Sequence, residues 1–178
     1  MIIEDTFIQG LKIIHLNKFQ DIRGDFIKVF NEDFFLNNGL ETNFKESYFS
    51  ISQKNVIRGM HYQVSPAAHI KLVYLNQGSI LDVILDIRKN SKTFGQYLSI
   101  FINYHKPILV YIPIDCAHGY KSLENQTIVS YLQTSCYNSA CDKGIKYNSF
   151  NMNWEIDNPI ISHRDLTFPD FHNSNFNF

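Results

Sequence analysis

Short apolar runs broken by turn-forming residues follow one another along the chain: "KLVYL", "SILDVILDIR", "GQYLSIFI", "ILVYIP" and "TIVSYLQT", with "KNSKTF" and "SLENQ" as connecting turns. This spacing predicts the strands of a sandwich or barrel rather than strands interleaved with helices. Between the first two runs, Asn76, Gln77 and Gly78 predict a hairpin turn. In the second run Leu81, Val83, Leu85 and Ile87 share one face, while Asp82, Asp86 and Arg88 fall on the other. One face is therefore expected to pack and the other to meet something polar. A single short helix is predicted over "NEDFFLNNG", capped by Asn31 and terminated by Gly39. From Phe168 onward "FPDFHNSNFNF" has no period, and its aromatics are expected to pin it to the body. No repeat or linker interrupts the series. The expectation is one all-β domain over 1–178, a jelly roll or related β-barrel with a few short helices, whose mouth can hold a small ligand.

Composition supports that class and narrows the partners. Hydrophobic residues make up 44% of the 178, enough for one sizeable core, and the 15 Phe and 10 Tyr favour pleated, half-buried surfaces. Sixteen basic against 17 acidic residues give a formal charge of -1. No long basic run is present to neutralise a phosphate backbone, so nucleic acid is not expected as a partner. "MIIEDTFIQG" has no basic segment leading into an apolar one, and nowhere do about 18 uninterrupted apolar residues occur. A cytoplasmic protein that does not engage a membrane is expected. Cys116, Cys136 and Cys141 form no Cys-x-x-Cys pair and signal neither a disulfide framework nor a zinc site.

Chemistry enters at "IRGMHYQ", where Arg58, Gly59 and His61 stand among residues suited to a sheet. A lone strand histidine is more often a structural residue. A second histidine, His118 in "IPIDCAHGY", lies at the end of another run, and "ISHRDL" supplies Asp165 far down the chain. A carboxylate bonded to one ring nitrogen fixes the tautomer and raises the basicity of the other, which is what a general base needs. His61 with Asp165 would be such a pair, if the fold brings them together.

"DIRGDFIKVF", "VIRGMHYQ", "KLVYLNQGSILDVILDIRKNSKTFGQY", "YIPIDCAHGY", "VSYLQTSCY" and "ISHRDL" follow one another as the corresponding segments do in the dTDP-4-dehydrorhamnose 3,5-epimerase family, a branch of the cupin jelly rolls. The chain resembles that family from about residue 5 to 166. The resemblance implies epimerisation at C3 or C5 of a nucleotide-diphospho-4-keto sugar, such as a dTDP-4-keto-6-deoxyhexose, without metal or redox cofactor. It also implies a homodimer whose subunits share strands near the sites. By the same resemblance His61 is the general base, Asp165 the carboxylate that orients it, Lys71 the cation facing the C4 carbonyl oxygen and Tyr131 the opposing acid. Tyr137 matches a second family tyrosine, Arg58 and His118 line the sugar and diphosphate site, and Arg23 lies at the nucleotide end.

These residue types suit the chemistry on independent grounds. A C4 carbonyl acidifies the hydrogens on C3 and C5 because the carbanion delocalises onto oxygen, and a cation beside that oxygen stabilises the charge as it develops. Inversion then needs a base on one face and an acid on the other. Histidine takes a proton near neutral pH, and tyrosine, with an unperturbed pKa of about 10, delivers one.

The recognition set departs from the family pattern. Lys28 stands where relatives usually carry a glutamate, and Glu46, Ser47, Tyr48, Phe49 and Ser50 replace a stretch that usually reads Gln-Asp-Asn-His-Ser. Lys28, Glu46 and Tyr48 are thus expected to meet a different base, as in a GDP-linked heptose or CDP-linked deoxysugar made for a capsule or lipopolysaccharide. Two other readings compete. A metal-dependent cupin would need histidines one residue apart, and the chain has no His-x-His; a ketoisomerase of the same superfamily would need another histidine arrangement. A non-catalytic sugar-nucleotide binder would need no base and opposing acid.

Overall fold

The alternating runs form strands, and a computed structural model describing residues 1–176 lays them face to face in two antiparallel sheets. One sheet runs β1 (Ile2–Asp5), β2 (Lys12–His15), β10 (Ile108–Ile112), β7 (Lys71–Gln77), β12 (Thr127–Gln133) and β5 (Glu46–Ser52). The other runs β13 (Asp142–Gly144), β6 (Ile57–Gln63), β11 (Cys116–Ser122), β8 (Ser79–Asp86) and β9 (Tyr97–Asn103). A separate hairpin joins β3 (Lys18–Asp21) to β4 (Gly24–Ile27). The all-β jelly-roll class expected from the sequence is the class observed. Helix α1 (Glu32–Asn37) starts at Asn31, whose side chain accepts from the Phe34 amide, and is followed by Gly39 at φ 66°. Its Phe35, fully buried beside Ile14, Leu40, Leu72 and Leu109, holds the helix on the outer face of the larger sheet. Burying such a side chain contributes about 2–3 kcal/mol.

The hairpin expected at Asn76–Gly78 does not form. β7 pairs with β10 and β12, whereas β8 pairs with β11 and β9. Only Gly78 separates the two strands, fewer residues than the tightest hairpin loop uses. The chain instead passes from one sheet to the other there. Gly78 has φ 85°, and a Cβ on it would meet Thr127 Oγ1 at 2.5 Å, so the crossing requires glycine.

Strand β8 corrects a second expectation, because both of its faces pack. Ile80 and Ile84 join Val73, Leu75, Val110 and Val129 between the sheets. Val83 and Leu85, with Ile87 beyond the strand, lie on the outside of the smaller sheet, where Phe150, Trp154, Phe171 and Phe176 cover them. The segment after β13 is that cover. Its aromatics do pin it down, as expected, although Phe178 lies outside the described residues. The polar face holding Asp82 looks into the space between the sheets, where the cavity described next opens.

Candidate active site

Arg58 and His61 are three positions apart in β6, an odd spacing that would send them to opposite faces of a regular strand. The register changes this. His118 of β11 pairs with His61 and Tyr120 with Arg58, so Gly59 and Met60 stand opposite Gly119 alone. The extra residue is a β-bulge, and it brings both side chains into one cavity of about 410 Å³. The motif needs its glycines: a Cβ on Gly59, at φ 137°, would stand 2.5 Å from Gly119 Cα.

His61 Nε2 lies 3.0 Å from Asp165 Oδ1. The carboxylate can only accept, so the proton is assigned to Nε2 and the lone pair to Nδ1. Asp165 belongs to α2 (His163–Leu166), which starts at Ser162, and its second oxygen accepts from the Gly59 amide at 3.1 Å. Burial pushes the Asp165 carboxyl up, but the bonds from His61, Gly59 and Ser162 outweigh it and hold the group below its ordinary range. Burial also lowers His61, more than Asp165 raises it, which leaves the imidazole neutral at neutral pH. Phe168 meets the ring edge-on at 5.6 Å.

Tyr131 comes from the opposite wall. It sits on β12 of the larger sheet, paired with Tyr48 of β5, and the two rings stack at 4.7 Å with a 16° tilt. Burial raises its phenol well above the ordinary value, and raises that of Tyr48 to about 12. Lys71, at the start of β7, donates to the His61 carbonyl at 3.2 Å. Burial pushes its ammonium down to about 8, against the pull of Asp142. His118 also faces the cavity, its Nε2 2.6 Å from Asp82 Oδ1. Arg58 donates to Ser52 Oγ at 3.0 Å and to the Ile51 carbonyl, and among the described residues it meets no carboxylate.

The other predicted residues divide. Tyr137 lines the rim, exposed. Glu46 also lines the cavity, and one of its oxygens, Oε2, accepts from the Tyr137 amide at 2.8 Å and from Gln133 at 3.3 Å. Arg23 and Lys28 are not brought to this cavity by their own chain. Arg23 lies at the tip of the β3–β4 hairpin, paired with Asp21, and Lys28 follows β4, exposed. Among the lining residues not picked out from the sequence, three are ionisable groups of note. Asp142 and Arg164 form an ion pair, Arg164 being the neighbour of Asp165 in "ISHRDL". His69, two residues before Lys71, is buried and held by burial to a pKa of about 4. Among the described residues, no three His, Cys, Asp or Glu side chains gather as metal ligands would.

Known proteins share this fold. The model of the dTDP-4-dehydrorhamnose 3,5-epimerase family matches residues 5–173. A curated dTDP-4-dehydrorhamnose 3,5-epimerase from Methanothermobacter thermautotrophicus is 35% identical over 165 residues, covering 90% of this chain and 89% of the relative. That of Sinorhizobium fredii is 31% identical over 173 residues, 95% and 89% of the two chains. Among solved structures, the dTDP-6-deoxy-D-glucose-3,5-epimerase of Legionella pneumophila in complex with dTDP-4-keto-L-rhamnose superposes with a TM-score of 0.92 at 30% identity, over 98% of this chain and 94% of that one. The Bacillus anthracis enzyme with TDP and PPi bound gives 0.91 at 31% identity, over 95% and 98%.

Proposed function

This chain belongs to the dTDP-4-dehydrorhamnose 3,5-epimerase family, and from that premise we propose that it inverts C3, C5 or both of a nucleotide-diphospho-4-keto sugar through an enolate. The observation that carries the reading is the opposition of an Asp-oriented histidine on one sheet and a buried phenol on the other, with the Lys71 ammonium in the same cavity. His61 Nδ1 takes the proton beside the carbonyl. Lys71 stabilises the oxygen as charge reaches it, and Tyr131 returns a proton from the far wall. Arg58, free of carboxylates, suits the diphosphate.

A dTDP-linked 4-keto-6-deoxyhexose is the first substrate to test. The sequence argument for another base rested on Lys28, Glu46 and Tyr48. Glu46 Oε2 is committed to Tyr137 and Gln133 and Tyr48 lies flat on Tyr131, which weakens the case for a GDP-linked heptose, while Lys28 would meet a base only from a second copy. The assembly proposed is a homodimer. In support, the β3–β4 hairpin exposes Phe19, Ile22 and Phe26, and a second copy's hairpin would bring Arg23 and Lys28 to this cavity. The product would serve surface polysaccharide synthesis. No helix among the described residues is long and apolar enough to cross a membrane.

The test is deuterium incorporation from heavy water into dTDP-, GDP- and CDP-linked 4-keto sugars, read by mass spectrometry and proton NMR. Exchange at C3 or C5 of the dTDP sugar, with inversion, is the expected result. Exchange confined to GDP or CDP sugars would overturn the choice of nucleotide, and no exchange in any would overturn the epimerase reading.

A further inference from the structure

Behind Tyr131 runs a line of hydroxyls. Ser50, which lines the same cavity, stands on β5 two residues from Tyr48, the register partner of Tyr131, and acts to lower the phenol's pKa against burial. Ser50 Oγ lies 2.9 Å from the Tyr120 hydroxyl, which lies 2.8 Å from Ser52 Oγ, which accepts from Arg58 Nε at 3.0 Å. Tyr120 and Ser52 are buried between the sheets, so the middle of the chain is shielded from competing water.

One direction is fixed, because a guanidinium has five donors and no acceptor and so donates to Ser52. A hydroxyl has two lone pairs and one hydrogen, so the other links can run either way; the run in which Ser52 donates to Tyr120 and Tyr120 to Ser50 is the one that leaves the Ser50 hydrogen for the phenol oxygen of Tyr131. We propose that the Arg58–Ser52–Tyr120–Ser50 chain is a built-in positioning device for the proton donor of this site, orienting the Tyr131 hydrogen into the cavity and stabilising the phenolate left when that hydrogen is delivered. The proposal rests on the epimerase reading.

The balance is simple. The Tyr131 O–H bond breaks, a C–H bond forms at the enolate carbon, and the electron pair stays on the phenol oxygen, where the Ser50 O–H meets it as a charge-assisted hydrogen bond. Solvent later returns a proton to Tyr131 and removes the one held by His61. Each hydroxyl polarises the next, so the effect of removing a link fades with distance from Tyr131.

The experiment compares Ser50→Ala, Tyr120→Phe and Ser52→Ala with the native protein on the dTDP-linked 4-keto sugar. Proton removal, read as deuterium exchange, is followed separately from inversion. Loss of the hydroxyl nearest Tyr131 in Ser50→Ala is expected to lower kcat for inversion about 10-fold, and Tyr120→Phe, which keeps the ring, about threefold, with KM and exchange little changed. The solvent isotope effect on inversion should grow in both. In a Tyr131→Phe background neither substitution should reduce the residual exchange further. Inversion at the native rate in Ser50→Ala and Tyr120→Phe would overturn the proposal, as would equal losses with and without the Tyr131 hydroxyl, which would mark a merely structural role. If Tyr120→Phe fails to fold, the same comparison between Ser50→Ala and Ser52→Ala decides. A native protein that exchanges deuterium in no sugar nucleotide would bring down the epimerase reading and this one with it, whereas an active native protein with indifferent variants would bring down this one alone.

Discussion

Gly59 and Gly119 cross so closely that a Cβ on Gly119 would come within 2.8 Å of the Arg58 carbonyl and 2.7 Å of Met60 Sδ, and one on Gly59 within 2.5 Å of Gly119 Cα. The bulge that aligns Arg58 with His61 thus rests on two missing side chains. Gly59→Ala adds strain at φ 137° to this collision and is expected to cost at least about 2–3 kcal/mol. Denaturant titration would measure the loss. Gly24→Ala, in an open hairpin where nothing lies within 4 Å of the added carbon, isolates the cost of a positive φ from that of the collision.

His61→Asn should retain sugar-nucleotide binding by calorimetry and lose deuterium exchange by at least about 1000-fold, because the lone pair assigned to Nδ1 is removed. Asp165→Asn keeps the shape but offers His61 an amide in place of a carboxylate. A loss of about 100-fold or more in kcat, with KM little altered, is expected from the mis-set tautomer.

The pH profile of kcat/KM follows from two shifted groups. His61 works unprotonated, and burial lowers its pKa from 6.5, so the acid limb lies below pH 6.5 and activity falls as pH drops through it. Lys71 works protonated, and burial brings it down to about 8, so the alkaline limb lies near pH 8 and activity falls as pH rises through it. Tyr131, raised well above 10, stays protonated across this range. Rates from pH 5 to 10 would check both limbs, and Lys71→Met should abolish the alkaline one along with most of the activity.

His69 gives a prediction about stability. Its pKa of about 4 in the folded chain lies below the 6.5 of an exposed histidine, so the unfolded state binds the extra proton first as pH falls. Stability is therefore fully present above about pH 6.5 and is lost between there and about 4, by up to roughly 3 kcal/mol from this group. His69→Gln should flatten the fall of Tm over that window, which calorimetric scans would show.

Much of this was legible before any coordinates, and the limits have physical causes. Period-2 alternation marks the strands, and Asn31 and Gly39 bound helix α1, because these signals are local, whereas the four-residue α2 is too short to leave a period. The sheet crossing at Gly78 was not legible, since a glycine turn between two apolar runs reads the same whether the runs pair or part. The two-sided packing of β8 was hidden because its outer cover, Trp154 and Phe171, lies far along the chain. Arg58, His61, His118 and Asp165 stood out from their own setting in the sequence, Lys71 and Tyr131 came through the family pattern, and the fold adds why Arg58 and His61 point the same way. Arg164 and Asp142 escaped notice because an ion pair between distant segments leaves no mark on either one. Tyr120 read as one more aromatic in a strand.

His61 and the Asp165 carboxylate bonded to it stand 104 positions apart, the second of them in the segment that wraps the outside of the smaller sheet. A ribosome therefore delivers every strand of the sandwich, through Gly144, before it delivers Asp165. While the chain is being made, the pocket can take shape around a histidine whose ring has nothing to hold its tautomer. A chain interrupted short of Ser162 would carry Phe150 and Trp154 but lack both the carboxylate at Asp165 and the last of the cover, Phe171 and Phe176, so it would lose its orienting group and bare part of the sheet's apolar back together.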